Sequence, residues 1–150
     1  LDRPRHKKII EELIRFDVNL KLISDGDISG ALLVTDEKYE VDLFLGIGGG
    51  PEGVLAASAL DSFDCFFQGK FLFETEEDKL RAKKMGIENF EKKYELNEIV
   101  SGDSIFCATG ITSGDLVQGI DIQKDTFTSE TLVTHKSSRI RTTVKSKYKI

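Results

Sequence analysis

Tryptophan is absent from these 150 residues, methionine occurs once, and proline and cysteine occur twice each. Two cysteines are too few for a disulfide framework, and Cys65 and Cys107 lack metal-ligand spacing. Each lies in an apolar stretch, 65–67 or 105–108, which predicts buried, reduced thiols of a cytoplasmic protein. No apolar run approaches the ~18 residues that a membrane span requires. The longest, 41–47, is broken by Asp42 and Gly46. A secretory leader is not expected, because the chain opens with Asp2, Arg3, Arg5, Lys7 and Lys8. Its first residue is Leu1 rather than methionine, at the approach to a helix, which suggests a piece of something longer. Acidic residues are missing after Glu130, where Lys136, Arg139, Arg141, Lys145, Lys147 and Lys149 supply six positive charges. The preceding 130 residues then hold 15 basic against 26 acidic groups, a formal −11. Such a body repels nucleic acid, so neither a nucleic-acid nor a membrane partner is expected.

An apolar share of 39% and a charged share of 31% are those of one globular domain, 1–150. Pro4 suits the first position of a helix, and Ile9, Ile10, Leu13, Ile14 and Phe16 recur at helical spacing after it. Residues 19–24 read as a short strand ended by the turn Asp25-Gly26-Asp27, and 28–34 as a short helix. The almost wholly apolar 41–47 reads as a strand with both faces covered. A glycine turn follows at 46–50, with Pro51 opening a helix of small residues. Residues 65–73 read as extended, and 75–85 as a polar helix with Thr75 and Asp78 in a capping box and Gly86 as its stop. Residues 104–109 read as a buried strand; 126–135 and 139–148 form a hairpin whose second arm alternates apolar with basic residues. The predicted class is α/β (α+β): a mixed sheet with helices on both faces and an antiparallel edge.

Chemistry concentrates around the glycine turn. Gly48, Gly50 and Gly53 formally satisfy G-x-G-x-x-G, and Glu74 lies 21 positions past Gly53. A dinucleotide site is nonetheless disfavoured: Glu52 would put negative charge into the pyrophosphate cradle, and Pro51 lacks an N–H donor. At the first turn of a helix Glu52 is electrostatically comfortable and could ligate a divalent cation, although an acidic residue there is also ordinary helix chemistry. Asp25 and Asp27 either shape and cap a turn or accept hydrogen bonds from sugar hydroxyls. Arg3 and Arg5 are either solvated or grip phosphate oxygens beside a helix start. A single carboxylate does not build a metal site. His6 and His135 are expected to be exposed, and no Ser-His-Asp set is read. These groups amount to half of an active site. In the basic hairpin, lysines protecting an exposed edge strand are favoured over a partner-binding surface.

Five segments in order carry a resemblance: Leu1 to His6, Ser24 to Asp27, Gly46 to Gly53, Ala108 to Leu116 and Ser129 to Leu132. Together they resemble the C-terminal half of class II fructose 1,6-bisphosphatase, the bacterial type, in the lithium-sensitive phosphatase superfamily. Gly50 departs from a frequent alanine. The resemblance implies the C-terminal α/β part of a layered αβαβα fold. It also implies a phosphoric monoester hydrolase that removes the 1-phosphate of fructose 1,6-bisphosphate with Mn²⁺ or Mg²⁺, in cytoplasmic gluconeogenesis. Relatives in the family also take sedoheptulose 1,7-bisphosphate. By motif position, Arg3, Pro4, Arg5, Asp25, Gly26, Asp27 and Gly49 are implied substrate-binding residues and Glu52 the one metal ligand. The water-activating groups and remaining metal carboxylates would lie upstream of Leu1, so no catalytic residue is assigned within the chain. Activity of the 150 residues alone is not expected. The implied partners are the N-terminal half of the enzyme and further copies in a homo-oligomer. The alternative is a non-catalytic sugar-phosphate or nucleotide-binding module.

Overall fold

The computed structural model describes residues 1–150. Pro4, with φ fixed by its ring, opens a 3-10 turn (Pro4–His6) that runs into α1 (Lys7–Arg15). Helix α2 (Asp27–Leu32) continues into further 3-10 turns, Leu33–Thr35 and Glu37–Tyr39. The glycine turn leads into α3 (Gly50–Asp61) with Pro51 in its first turn. Strands β1 (Gln68–Lys70) and β2 (Lys93–Glu95) form a small antiparallel pair around α4 (Glu76–Lys84), and α5 (Leu96–Ile99) follows β2. Helix α4 has the expected capping box between Thr75 and Asp78, and Gly86 beyond it takes φ +85°.

The main sheet is organised by β5 (Thr126–His135). One edge of β5 pairs along its length with β6 (Ile140–Lys149). The other edge is shared by β3 (Ile105–Thr109), opposite Thr131 to His135, and β4 (Asp121–Gln123), opposite Thr126 to Thr128. All of these pairings are antiparallel. Helices and sheets together give the α/β class read from the sequence, but the main sheet is antiparallel throughout rather than mixed, and helices cover only one of its faces.

The core lies where α3 meets α2 and one face of this sheet: Ala31 and Leu32, Ala56, Ala59 and Leu60, and Phe106. Alanines let α3 approach closely; Ala57 and Ala59 are wholly buried. Alternation along the strands turns Phe106, Ala108 and Leu132 toward this core. The opposite sheet face carries Ile105, Cys107, Ile140, Val144 and Tyr148, all exposed.

Three local expectations are corrected. Segments 19–24 and 41–47 form no strand and enter no ladder, with bends at Ser24 and Asp42, and Leu22, Leu43 and Leu45 are exposed. No strand among the 150 residues pairs with them; their contact is with α2, where a Cβ on Gly30 would meet Ile23 and Phe44. The cysteines are not buried: Cys65 is half-buried, and Cys107 is exposed because its strand position faces away from α3. The apolar stripe of α1 is half-buried at best, with Ile14 and Phe16 exposed. His6, expected at the surface, is 2% exposed. The turn at Pro4 makes it the residue before α1 and sets its ring against the backbone of Ile47.

Candidate functional site

Segments distant in sequence converge on the glycine turn. Arg5 and His6 hold both polar groups of one peptide residue: Arg5 Nε donates to the Ile47 carbonyl at 2.6 Å, and the Ile47 N–H donates to His6 Nε2 at 2.7 Å. Acceptance at Nε2 leaves the ring proton on Nδ1, which is buried without a partner. This clamp fixes where the turn leaves the 41–47 segment. The guanidinium of Arg5 also reaches Asp27, with Nη2 at 3.9 Å from Oδ2.

Asp27 is the first residue of α2, where its charge faces the positive end of the helix dipole. It does not cap the helix: the residue before α2 is Gly26, at φ +85° and ψ 65°. A side chain at Gly26 would be strained by that φ and would collide with Ser29 Oγ. The Asp27 carboxylate instead leans over the glycine turn, 3.0 Å from where a Cβ on Gly48 would sit. The Glu52 carboxylate, in the first turn of α3, folds back over Gly49 so closely that a Cβ there would overlap Oε2. Arg5, Asp27 and Glu52, one cation and two carboxylates, therefore gather about one exposed turn at Gly48 and Gly49.

The remaining expected residues stand at its margin. Pro4 shapes the turn that delivers Arg5. Arg3 is exposed, with no ion pair from its side chain. Asp25 accepts a hydrogen bond from the Gly26 N–H at 2.9 Å. Sequence reading missed His6 as a member of this site. Its only local signal was adjacency to Arg5, since its partner lies 41 positions away.

Two quoted motifs are explained by packing. Glu130 Oε2 accepts from the Gln118 N–H at 2.8 Å, and a Cβ on Gly110 would collide with the Gln118 carbonyl. The hydrogen bond from that backbone N–H, helped by Lys145, holds the Glu130 carboxyl below the usual range. Tyr39 adds a hydroxyl bond to the Asp115 carbonyl at 2.6 Å, so the 110–119 loop is fastened at several points.

Glu52 supplies hard carboxylate oxygen, but no group of three or more His, Cys, Asp or Glu side chains is arranged to hold a metal. These 150 residues do not by themselves fit a divalent ion.

A sequence profile of the family described as bacterial fructose-1,6-bisphosphatase, glpX-encoded, matches residues 1–148. The chain belongs to that family. Among curated relatives, a protein of Trichodesmium erythraeum is 35% identical across 93% of this chain, and one of Synechococcus sp. strain JA-3-3Ab 36% across 93%. A Synechocystis protein is 35% identical across 80%. All three are named D-fructose 1,6-bisphosphatase class 2/sedoheptulose 1,7-bisphosphatase. The chain spans 44% of the first two relatives' length and 39% of the third's. No helix in it is long and apolar enough to cross a membrane.

Proposed function

We propose that this chain is the C-terminal α/β part of a phosphatase that hydrolyses the 1-phosphate of fructose 1,6-bisphosphate or sedoheptulose 1,7-bisphosphate. The observation that carries the reading is the convergence of Arg5, Asp27, Gly49 and Glu52 on one turn, in a chain of this family. Arg5 has guanidinium N–H groups beyond the one bound to Ile47, and these bind the phosphate that does not react. Arg3 adds positive charge at the same helix start. Asp25 and Asp27 accept hydrogen bonds from sugar hydroxyls, with Gly26 and Pro4 setting the backbone that presents them. Gly49 carries no side chain to displace the Glu52 carboxylate that folds over it. Binding the remote phosphate orients the reacting end, so binding energy serves the chemical step.

Glu52 contributes one oxygen ligand to Mn²⁺ or Mg²⁺, and the other ligands and the water-activating groups come from polypeptide corresponding to the rest of the family's length. When bound, such an ion supplies charge neutralisation and water activation. The exposed apolar residues of 19–24, 41–47 and the outer sheet face support contact with that polypeptide. Cytoplasmic location and a homo-oligomer belong to the same reading.

The test uses the complete protein with fructose 1,6-bisphosphate. Glu52→Gln is expected to lose nearly all phosphate release at an unchanged melting temperature. Arg5→Ala is expected chiefly to raise KM. Near-normal turnover of Glu52→Gln would remove Glu52 from the metal site. Ligand affinity independent of Mn²⁺, with no phosphate released, would favour a non-catalytic binding module.

A further inference from the structure

A second polar cavity lies at the opposite end of α3 from Glu52. Its volume is about 290 Å³, and it is lined by Ser62, Asp64, Lys136, Ser137, Arg139 and Arg141, with no hydrophobic residue. Helix rise puts Asp61, at its rim, about 14 Å along the axis from Glu52. The two regions are separate.

The lining is assembled from the end of α3 and the β5–β6 turn. Asp61, the last residue of α3, is 4% exposed and receives Lys136 Nζ at 2.7 Å. This pair keeps Lys136 charged and anchors it, leaving two ammonium protons free. Arg141 lies 5.0 Å above the Phe63 ring with Nη2 at 3.4 Å from Asp64, which restricts the guanidinium plane while most of its N–H groups remain unused. Arg139 completes the ring of cations. It takes φ 53° in the turn closed by its N–H to the Lys136 carbonyl, and its side chain has no acidic partner.

The other polar groups are already committed. Ser137 donates its hydroxyl proton to Asp103, which also pairs with His135 at 2.7 Å, and Ser62 donates to the Ala59 carbonyl. Lys136 pairs with Asp61, Arg141 with Asp64, and Asp103 is taken by Ser137 and His135, which leaves Arg139 in excess as the one lining cation without an acidic partner, in a chain whose formal charge is −5. That excess sits on a guanidinium, whose forked N–H groups match tetrahedral oxyanions.

We propose that this cavity binds a small phosphate-bearing anion, with Arg139 as its principal grip and Lys136 and Arg141 as pre-positioned supports. The lining holds no aromatic side chain on which a nucleobase could stack. A phosphorylated polyol or a simple phosphate fits it better, and the exposed Asp64 carboxylate can accept a hydrogen bond from a hydroxyl of the former.

Calorimetric titration of the complete protein with inorganic phosphate, at ionic strength held constant with chloride, tests this. A saturable component is expected that Arg139→Gly weakens by roughly tenfold or more, as loss of a charged hydrogen-bonding group implies. Arg139→Lys, which keeps the charge but not the fork, should retain part of it, and this component should persist in Glu52→Gln and Arg5→Ala, which alter only phosphate binding at the glycine turn. Glycine suits the left-handed backbone, so Arg139→Gly should fold and melt no lower than the parent. Phosphate binding that is indifferent to Arg139→Gly would overturn the proposal. So would loss of the component in Glu52→Gln, or chloride binding equally well, which would mark unspecific screening.

Discussion

A methyl group at Gly49 would land on the Glu52 carboxylate, although the glycine's own φ of −71° is open to any residue. What must give way is the end of a flexible side chain rather than backbone. Gly49→Ala is therefore expected to change stability by less than about 1 kcal/mol while turning Glu52 away from the turn. Thermal melting beside phosphate release by the complete protein checks this: unchanged melting with strongly reduced turnover is the expected pair. His6 should behave in the opposite way. His6→Leu fills similar space but leaves the Ile47 N–H without its acceptor, so a loss of about 1–3 kcal/mol in denaturant unfolding is expected. Glu52 was legible because Pro51 marks a helix start and puts the acid in its first turn. The burial of His6 was not, because its cause is a long-range contact with backbone, and backbone leaves no mark on local residue pattern.

At the level of elements, α4 shows what local signals can specify. Thr75 Oγ1 accepts from the Asp78 N–H at 3.1 Å and the Thr75 N–H donates to Asp78 Oδ2 at 3.2 Å, all within four residues. Thr75→Ala should destabilise α4 by about 1 kcal/mol, read as faster amide exchange through its first turn. The Thr75 hydroxyl bond, followed by Arg81, holds the Asp78 carboxyl below its ordinary 3.8. A carboxyl lowered on folding contributes stability above that ordinary value and loses it as pH falls through the lowered one. Asp78→Asn should accordingly flatten the acid limb of the unfolding curve below about pH 4 relative to the parent. The β5–β6 hairpin was equally legible, from alternation and a short turn. Segments 19–24 and 41–47 show where such signals stop. Their apolar pattern records an aptitude for a sheet, whereas a ladder also needs a neighbouring strand, and none of the 150 residues provides one.

For the molecule as a whole, cohesion is uneven. Only 16 of 150 residues are buried, and they gather around α2, α3 and the inner sheet face. Protection against hydrogen exchange should follow the same map in the 150-residue chain. Amides of Thr131 to His135, bonded on both edges of β5 and backed by α3, should exchange slowest, and those of 41–46 near the rate of an unstructured peptide. Uniform protection across both regions would contradict this division. The basic end of the chain is drawn onto the acidic body at discrete points, with Lys136 on Asp61, Arg141 on Asp64 and Lys145 on Glu130. The charge asymmetry visible in the sequence thus becomes a set of contacts, but which acids they would use depended on the fold.

Cys107 stands on the uncovered side of the sheet, while burial pushes the thiol of half-buried Cys65 up and leaves it less nucleophilic. The molecule consequently carries its own reporter: a maleimide should alkylate Cys107 first, and whatever comes to shelter that surface will register as a slower labelling rate, with no engineered probe required.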